Sequence, residues 1–376
     1  MYIEKIELKN YRNYEKLSLN FNKNVNLILG ENAQGKTNLL EAIYLSSMGR
    51  SFRTKKDSEL IRFGCEYAQV KIFAKKEFLD TSVDIFLGGK AKKVIRKDSV
   101  NIKKISELMK NIVIVIFSPE DLKLVKDEPE KRRKFIDREL CQISPKYYDS
   151  LSRYKKTLAQ VNAYLKEDRP DMSMLDLWYM QLAQYSADVM ILRNKFLERM
   201  NTYSGLIHRS ISGGRENLKI EYNSNITLEK NVSDQRTRCY EEMKDACESD
   251  LKNRNLTKGP HKDDMTFYVN DINLKKFGSQ GQQRTCALSL KLAELNLIKE
   301  EVSEDAVLLL DDVMSELDAG RQEYLIDTLK ENQLFITTTE IDSDIKEKFE
   351  NLSVFYVTDG EVKEAEKSAQ IKQEEN

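Results

Sequence analysis

The chain opens with short apolar runs bounded by Asn and Lys clusters. YIEKIEL, LSLNF and VNLIL, all within the first 29 residues, have the length and flanks of strands. VNLIL runs directly into GENAQGKT, and the following TNLLEAIYLSSM places Leu39, Leu40, Ile43, Tyr44 and Met48 at helical spacing. Between Cys65 and Ile105 the pattern returns to period two in AQVKIFA and TSVDIFL, with Gly88-Gly89 as a turn, which predicts an antiparallel sheet. IVIVIF then reads as a buried strand that stops at Ser118-Pro119.

From Tyr147 the period changes. Tyr147, Leu151, Tyr154, Leu158, Val161 and Leu165 recur at alternating spacings of four and three, as do Trp178, Leu182, Tyr185, Val189, Leu192 and Phe196. Each series predicts a helix with a heptad-like seam. Pro170 in the intervening KEDRPDMSM cannot continue a helix, so the two should fold back as an antiparallel hairpin. A third helix is predicted over SDQRTRCYEEMKDACESDL, capped by Ser233. After TKGPHKDD the α/β texture resumes in MTFYVN, AVLLLDD, a helix from about Gly320 and LFITTT. The expected organisation is therefore a discontinuous α/β head, residues 1–140 and 256–362, a helical insertion over 141–255, and a mixed-charge, disordered tail over 363–376.

Composition narrows the class. A chain of 376 residues can bury a substantial core, and its formal net charge of -1 argues neither for nor against a polyanionic partner. Its longest apolar runs fall far short of the roughly 20 residues of a membrane span. The N-terminus does not read as a secretory signal. The five cysteines form no CxxC pair and have only two histidines beside them, which disfavours structural zinc and a disulfide framework and fits a reducing cytoplasm.

Gly30, Gly35, Lys36 and Thr37 complete a G-x-x-x-x-G-K-[ST] phosphate loop between a predicted strand and a predicted helix. In such a loop the backbone N–H groups of Gly30, Glu31, Asn32, Ala33, Gln34 and Gly35 wrap phosphates, Lys36 neutralises them and the Thr37 hydroxyl binds Mg²⁺. AVLLLDD places Asp311 at the tip of a buried strand, where it can hold the same Mg²⁺, and Asp312 beside it can orient or deprotonate a water. Lys36 and Asp311 stand 275 residues apart, against about 30 for a local βαβ nucleotide unit, so a large insertion is expected. Ser279, Gln280, Gly281 and Gln282, in GSQGQQR, open another helix whose N-terminus favours an anion.

The order of phosphate loop, distant GSQGQQR, strand with Asp-Asp and then Ser315-Glu316-Leu317-Asp318 resembles the SMC-like ABC ATPase family. GENAQGKTNLLEAIY, GRSFRT, FSPEDL, RRKFID, GPHKDD, FGSQGQQRT and DDVMSELD together resemble its branch of bacterial recombination mediators. The resemblance implies an ATPase head with an inserted antiparallel helical domain. It also implies an ATP-dependent homodimer in which Ser279 to Gln282 face the γ-phosphate held by the other copy, with ATP and Mg²⁺ as cofactors. The implied role is recombinational repair, replication-fork maintenance and the SOS response, with recombination mediator proteins as partners. FSPEDL offers Ser118, Glu120 and Asp121 where relatives usually carry a glutamine, Thr337 to Thr339 stand where many have a histidine, and Asp312 where many have glutamate, so slow hydrolysis is expected. A transporter ATPase subunit and a structural SMC-class DNA-binding protein are the alternatives.

Two basic clusters are candidates for DNA phosphates, read by shape and backbone and not by sequence. One is Arg50, Arg53, Lys55 and Lys56. The other begins with Lys90, Lys92 and Lys93 in the stretch Gly88–Lys110, where eight cations face two carboxylates.

Overall fold

The fold was taken from a computed structural model of the chain, which describes residues 1–89, 92–339 and 351–365. In chain order the elements are β1 (Tyr2–Tyr11), β2 (Tyr14–Asn20), β3 (Val25–Leu29), α1 (Lys36–Met48), β4 (Tyr67–Lys75), β5 (Thr81–Gly88), β6 (Val94–Lys97), β7 (Val100–Asn101) and β8 (Ile114–Phe117). There follow α2 (Pro129–Ile143), α3 (Pro145–Tyr164), α4 (Met172–Ile211), β9 (Leu218–Asn223), α5 (Val232–Asp245), α6 (Cys247–Asn253), β10 (Asp264–Val269), β11 (Ile272–Asn273), α7 (Leu274–Phe277) and α8 (Gln280–Val302). The last are β12 (Val307–Asp311), α9 (Ala319–Leu329), β13 (Leu334–Thr338), β14 (Leu352–Thr358) and β15 (Glu361–Glu364). No helix among the described residues is long and apolar enough to cross a membrane.

The chain forms two compact units. The first runs from Met1 to Asp121 and resumes at Ile298; the second is Leu122–Leu297. Unit 1 holds two sheets. An antiparallel sheet has the order β2-β1-β4-β5-β6-β7 and alternates buried with half-exposed residues, as a sheet covered on one face should. The other, ordered β15-β14-β3-β13-β12-β8, is parallel except for its β15 edge. Its strands β3, β12 and β8 are buried throughout, even though β8 is an edge of the sheet, which is why VNLIL, VLLLD and IVIF read as unbroken apolar runs. Ile6, Leu8, Val70 and Ile72 of the first sheet share a core with Leu39, Leu40 and Ile43 of α1 and with Ile28, Leu309 and Phe335 of the second. α1 is thus buried on nearly every side, and the one carboxylate within it, Glu41, requires an internal partner.

Unit 2 contains α2 to α7, most of α8 and the three-stranded sheet β11-β10-β9. Ser150 bonds Asp188 and Tyr147 bonds Arg193, so positions descend along α4 as they rise along α3, the pairing of an antiparallel hairpin. Tyr154, Val161, Leu165, Leu175, Tyr179 and Leu182 form its seam with Cys239 and Met243 of α5. The third predicted helix is two helices, broken at Ala246, and its cap is Asn231, whose side chain accepts from the Asp234 N–H, not Ser233. The units part at 121/122 and 297/298, against expected boundaries of 140/141 and 255/256. Arg132 supplies a reason: this buried side chain donates to both carboxylate oxygens of Asp264, at 2.6 and 2.9 Å, tying α2 to β10. β10 in turn pairs along its length with β9.

The GPHKDD motif belongs to a buried polar network in this unit. The Arg193 guanidinium donates to Asp137 (2.8 Å), Asp263 (3.1 Å), the Pro260 carbonyl (2.7 Å) and the Tyr147 hydroxyl (3.0 Å). Tyr222 also donates to Asp263, and Tyr154 meets His261 Nδ1 at 2.5 Å. Gly259, at φ +135°, is where a Cβ would lie 2.6 Å from the Tyr154 hydroxyl. Burial pushes Asp137 up, but Arg193 and Lys155 outweigh it and bring the carboxyl down to about 2. Its contribution to stability is complete above the unfolded value of about 3.9 and is lost as pH falls through about 2. Arg193→Met leaves two buried carboxylates without their guanidinium and should destabilise unit 2 by about 3–5 kcal/mol. Urea unfolding followed by Trp178, the single tryptophan, should show a lower midpoint; an unchanged midpoint would contradict this role.

Candidate nucleotide site

The site in unit 1 begins where β3 ends. Gly30 must be glycine because a Cβ there would sit 2.4 Å from the Val357 carbonyl on β14, and Gly35 because its φ of +121° is one that L side chains rarely adopt, with the Asn13 amide packed against it. Glu31, Asn32 and Ala33 form the exposed arch between them, with Ala33 at φ 68°. Gly35 is the N-cap of α1, with no side-chain cap and no acidic residue in the first turn, so the helix N-terminus presents its N–H groups and positive dipole end to the loop. Lys36 is buried, and its ammonium donates to the carbonyls of Gly30 (2.6 Å) and Glu31 (3.2 Å), which holds the charge inside the arch.

Thr37 and Asp311 meet. The threonine hydroxyl donates to Asp311 Oδ1 at 2.9 Å, across 274 positions of sequence. The parallel ladders explain the meeting: Thr337 of β13 lies beside Ile28 of β3 and Asp311 of β12, so the three strands end level. The Thr337 hydroxyl also reaches Asp311 Oδ1, at 3.1 Å, and accepts from the Asp312 N–H at 2.9 Å. Burial pushes the Asp311 carboxyl above the ordinary range, against these hydroxyls, which favour its charge. Asp312 turns away from the strand at φ 51°, less buried than its neighbour. Of the residues expected to replace a glutamine, Ser118 is bonded by N–H and hydroxyl to Asp121 Oδ2, at 2.9 and 3.0 Å.

Several supports of the loop carry no motif signal. Asn13, in the β1–β2 turn, donates to the Gln34 carbonyl at 2.8 Å and accepts from Asn38 at 2.8 Å; Tyr14 donates to the Gly35 carbonyl at 2.9 Å. The Asp359 N–H donates to Gln34 Oε1 at 2.6 Å. Glu41 finds its partner in Arg12, by two bonds of 2.8 and 2.9 Å, with Ser51 donating to the same carboxylate. The nearest sequence clue is that Glu41 is the only charged residue between Leu39 and Met48, all the others there being apolar or serine, so a carboxylate within such a helix had to be paired.

The second stretch, in unit 2, opens α8. Ser279 and Gln282 cap each other: the Ser279 N–H donates to Gln282 Oε1 at 3.0 Å and the Gln282 N–H to Ser279 Oγ at 3.2 Å. This is a capping box with Gln at its fourth position, so the helix starts at Gln280, and the Gln282 N–H of its first turn is already bonded. Ser279 and Gln280 are exposed, whereas Gly281 is half-buried and Gln282 is held by Glu216 at 2.9 Å.

The chain carries the domain described as RecF/RecN/SMC N terminal domain over residues 2–363. It is 43% identical to the DNA replication and repair protein RecF of Alkaliphilus oremlandii (strain OhILAs), over 96% of this chain and all of that protein. The RecF of Agathobacter rectalis is 44% identical over 96% of this chain and 99% of its own length. The chain belongs to the RecF family. A solved structure of the recombination mediator protein RecF with ATPrS, in the RecFOR pathway, superposes with a TM-score of 0.91 at 36% identity, covering 97% of this chain and 98% of that one. The fold is thus the RecF/SMC-type ATPase head of mixed α/β class with a helical second domain.

The basic clusters of this RecF-family chain are partly engaged. Arg53 donates to Asn38 at 2.8 Å, Lys93 is paired with Asp57 at 2.9 Å, and Lys56 lies 3.8 Å from Glu59. The Lys93 pair links the second cluster to the segment that follows the first. Arg50, Lys55 and Lys92 are exposed, with no ion-pair partner among the described residues, and Lys90 lies outside the described residues.

Asn13→Ala removes the side chain that ties the β1–β2 turn to the loop, a hydrogen bond worth about 0.5–1.5 kcal/mol, and should weaken ATP binding up to about tenfold with little loss of melting temperature. Calorimetric titration measures it; unchanged affinity would remove Asn13 from the site.

Proposed function

We propose that the protein is an ATP-dependent DNA-binding protein of recombinational repair, replication-fork maintenance and the SOS response, in which ATP closes two copies head to head around DNA and slow hydrolysis reopens them. The observation that carries this reading is the 2.9 Å contact between the Thr37 hydroxyl and Asp311, at the mouth of a loop whose lysine lies inside the arch. A hydroxyl and a carboxylate are the ligands that Mg²⁺ takes beside phosphate oxygens and water. Burial has made the Asp311 carboxylate costly to ionise, and a divalent cation would offset that cost. Lys36 and the N-terminus of α1 would hold the phosphates, Mg²⁺ would neutralise charge on them, and Asp312 would orient the attacking water.

The dimer reading rests on the exposed Ser279 and Gln280 at the start of α8, a helix N-terminus suited to a phosphate. The relatives bearing the RecF name are DNA replication and repair proteins, and the solved RecF structures are of a recombination mediator. That kinship supports mediator proteins as partners and the cytoplasm as the place of work. Arg50, Lys55 and Lys92 would meet DNA phosphates without reading bases.

Light scattering with and without nucleotide tests the reading. With ATP and Mg²⁺ the mass should double from 43.8 kDa, and Ser279→Arg should prevent the doubling while ATP still binds. A monomer at saturating ATP, or a Ser279→Arg protein that dimerises normally, would contradict it.

A further inference from the structure

The solvent face of the antiparallel sheet in unit 1 carries a pattern that the nucleotide site does not use. Ile6, Leu8, Val70, Ile72, Val83 and Ile85 point into the core. The alternate positions interleave rings with cations. Tyr67 of β4 and Phe86 of β5 stack with centroids 5.4 Å apart and planes at 20°. Lys9 lies 5.3 Å from the Tyr67 centroid, and Lys71 and Lys5 lie 5.0 and 5.8 Å from that of Phe73. Lys9 also sits directly opposite Lys16 on β2, an arrangement of like charges that works against the sheet. On this face Lys5, Lys9, Lys16, Lys71 and Arg96 outnumber Glu7 and Asp84; Lys71 stands opposite both of these carboxylates in the register, whereas Lys9, between Gln69 and Lys16, has no carboxylate partner among the described residues.

Beside the stacked rings a cleft of about 250 Å³ opens between Gln69, Asp84, Phe86, Val94 and Arg96. The register sets Gln69, Phe86 and Val94 in one row across three strands and Asp84 and Arg96 in the next. One wall is therefore a ring and an aliphatic side chain. The other is polar, with Gln69 donating to Asp84 at 2.7 Å and Arg96 3.8 Å from the same carboxylate. The volume lies below the roughly 300–1,000 Å³ of sites for whole small molecules and suits a single planar ring.

We propose that this face binds an unpaired nucleobase of DNA. The base stacks on Phe86, its polar edge meets Gln69, Asp84 and Arg96, and Lys9, Lys16 and Lys71 take the adjoining phosphates. A ligand with flat π faces alternating with negative charges is what the face complements, and a single strand presents that alternation. The site rests on the DNA-binding reading above, and what it adds is the place where an unpaired base is held: the outer face of β4, β5 and β6.

The test uses the full chain with ATP and Mg²⁺, and fluorescence anisotropy with oligonucleotides carrying 2-aminopurine in a gap. Phe86→Leu should weaken binding to gapped and single-stranded DNA about tenfold and abolish the stacking quench of 2-aminopurine, with duplex binding changed by less than about twofold. Phe86→Trp should retain both, and ATP affinity should be unaltered in each. Replacing Lys9 and Lys71 by Gln together should lower the salt slope by about two for DNA containing single strand. If wild type binds DNA and Phe86→Leu leaves the gap affinity and the quench intact, or weakens duplex and gap binding equally, this site is overturned and the DNA-binding reading stands. If wild type binds no DNA, that reading falls with it. Loss of a protein partner with gap binding intact would assign the face to protein and likewise overturn the proposal.

Discussion

The contact between Thr37 and Asp311 depends on three strands ending at the same height. β3, β13 and β12 lie side by side in parallel register, and their buried apolar residues fix that register, because a slip would carry the polar ends into the core. Thr337, on the middle strand, bonds both the Asp311 carboxylate and the Asp312 N–H, so the sheet itself aims the acidic pair. On the other side, Val357 of β14 presses against Gly30 and leaves room for nothing larger, and the Asn13 amide of the β1–β2 turn packs against Gly35. The loop is therefore shaped from both sheets of unit 1, with α1 and its buried Arg12–Glu41 pair between them.

Much of this was legible in the sequence because short motifs carry their own mechanics. The glycine spacing around Lys36, the apolar strand ending in Asp311 and the change to heptad period at Tyr147 each found their element. What stayed hidden depended on residues brought together from distant parts of the chain. Asn13 and Tyr14 look like ordinary turn residues until the Gln34 and Gly35 carbonyls are seen above them. Unit boundaries were misjudged because Arg132, one of a run of four cations, is buried against Asp264 and not solvated. The third helix lost its expected cap because Asn231, two residues earlier, is equally able to cap and sits where the chain turns.

GSQGQQR shows both halves of this lesson. Its helix was expected; the reciprocal bond between Ser279 and Gln282 was not, although S-x-x-Q before an apolar run is a recognisable capping box. The cap fixes the direction in which the first turn points without an external ligand, and Glu216 anchors Gln282 from the side. A rigid helix start suits recognition of a phosphate on another molecule, since little ordering entropy remains to be lost on contact. GPHKDD has the opposite character: its His261, Asp263 and Asp264 point into buried networks and serve the stability of unit 2.

The central claim is that each ATP is held by Lys36 and Thr37 of one copy and met by Ser279 of the other. Mixing two inactive proteins tests it most directly. Lys36→Met and Ser279→Arg should each hydrolyse no ATP alone, yet their mixture should recover activity, because a mixed pair contains one site with both an intact loop and an intact signature. A mixture as inactive as its parents, with dimers present, would contradict the account.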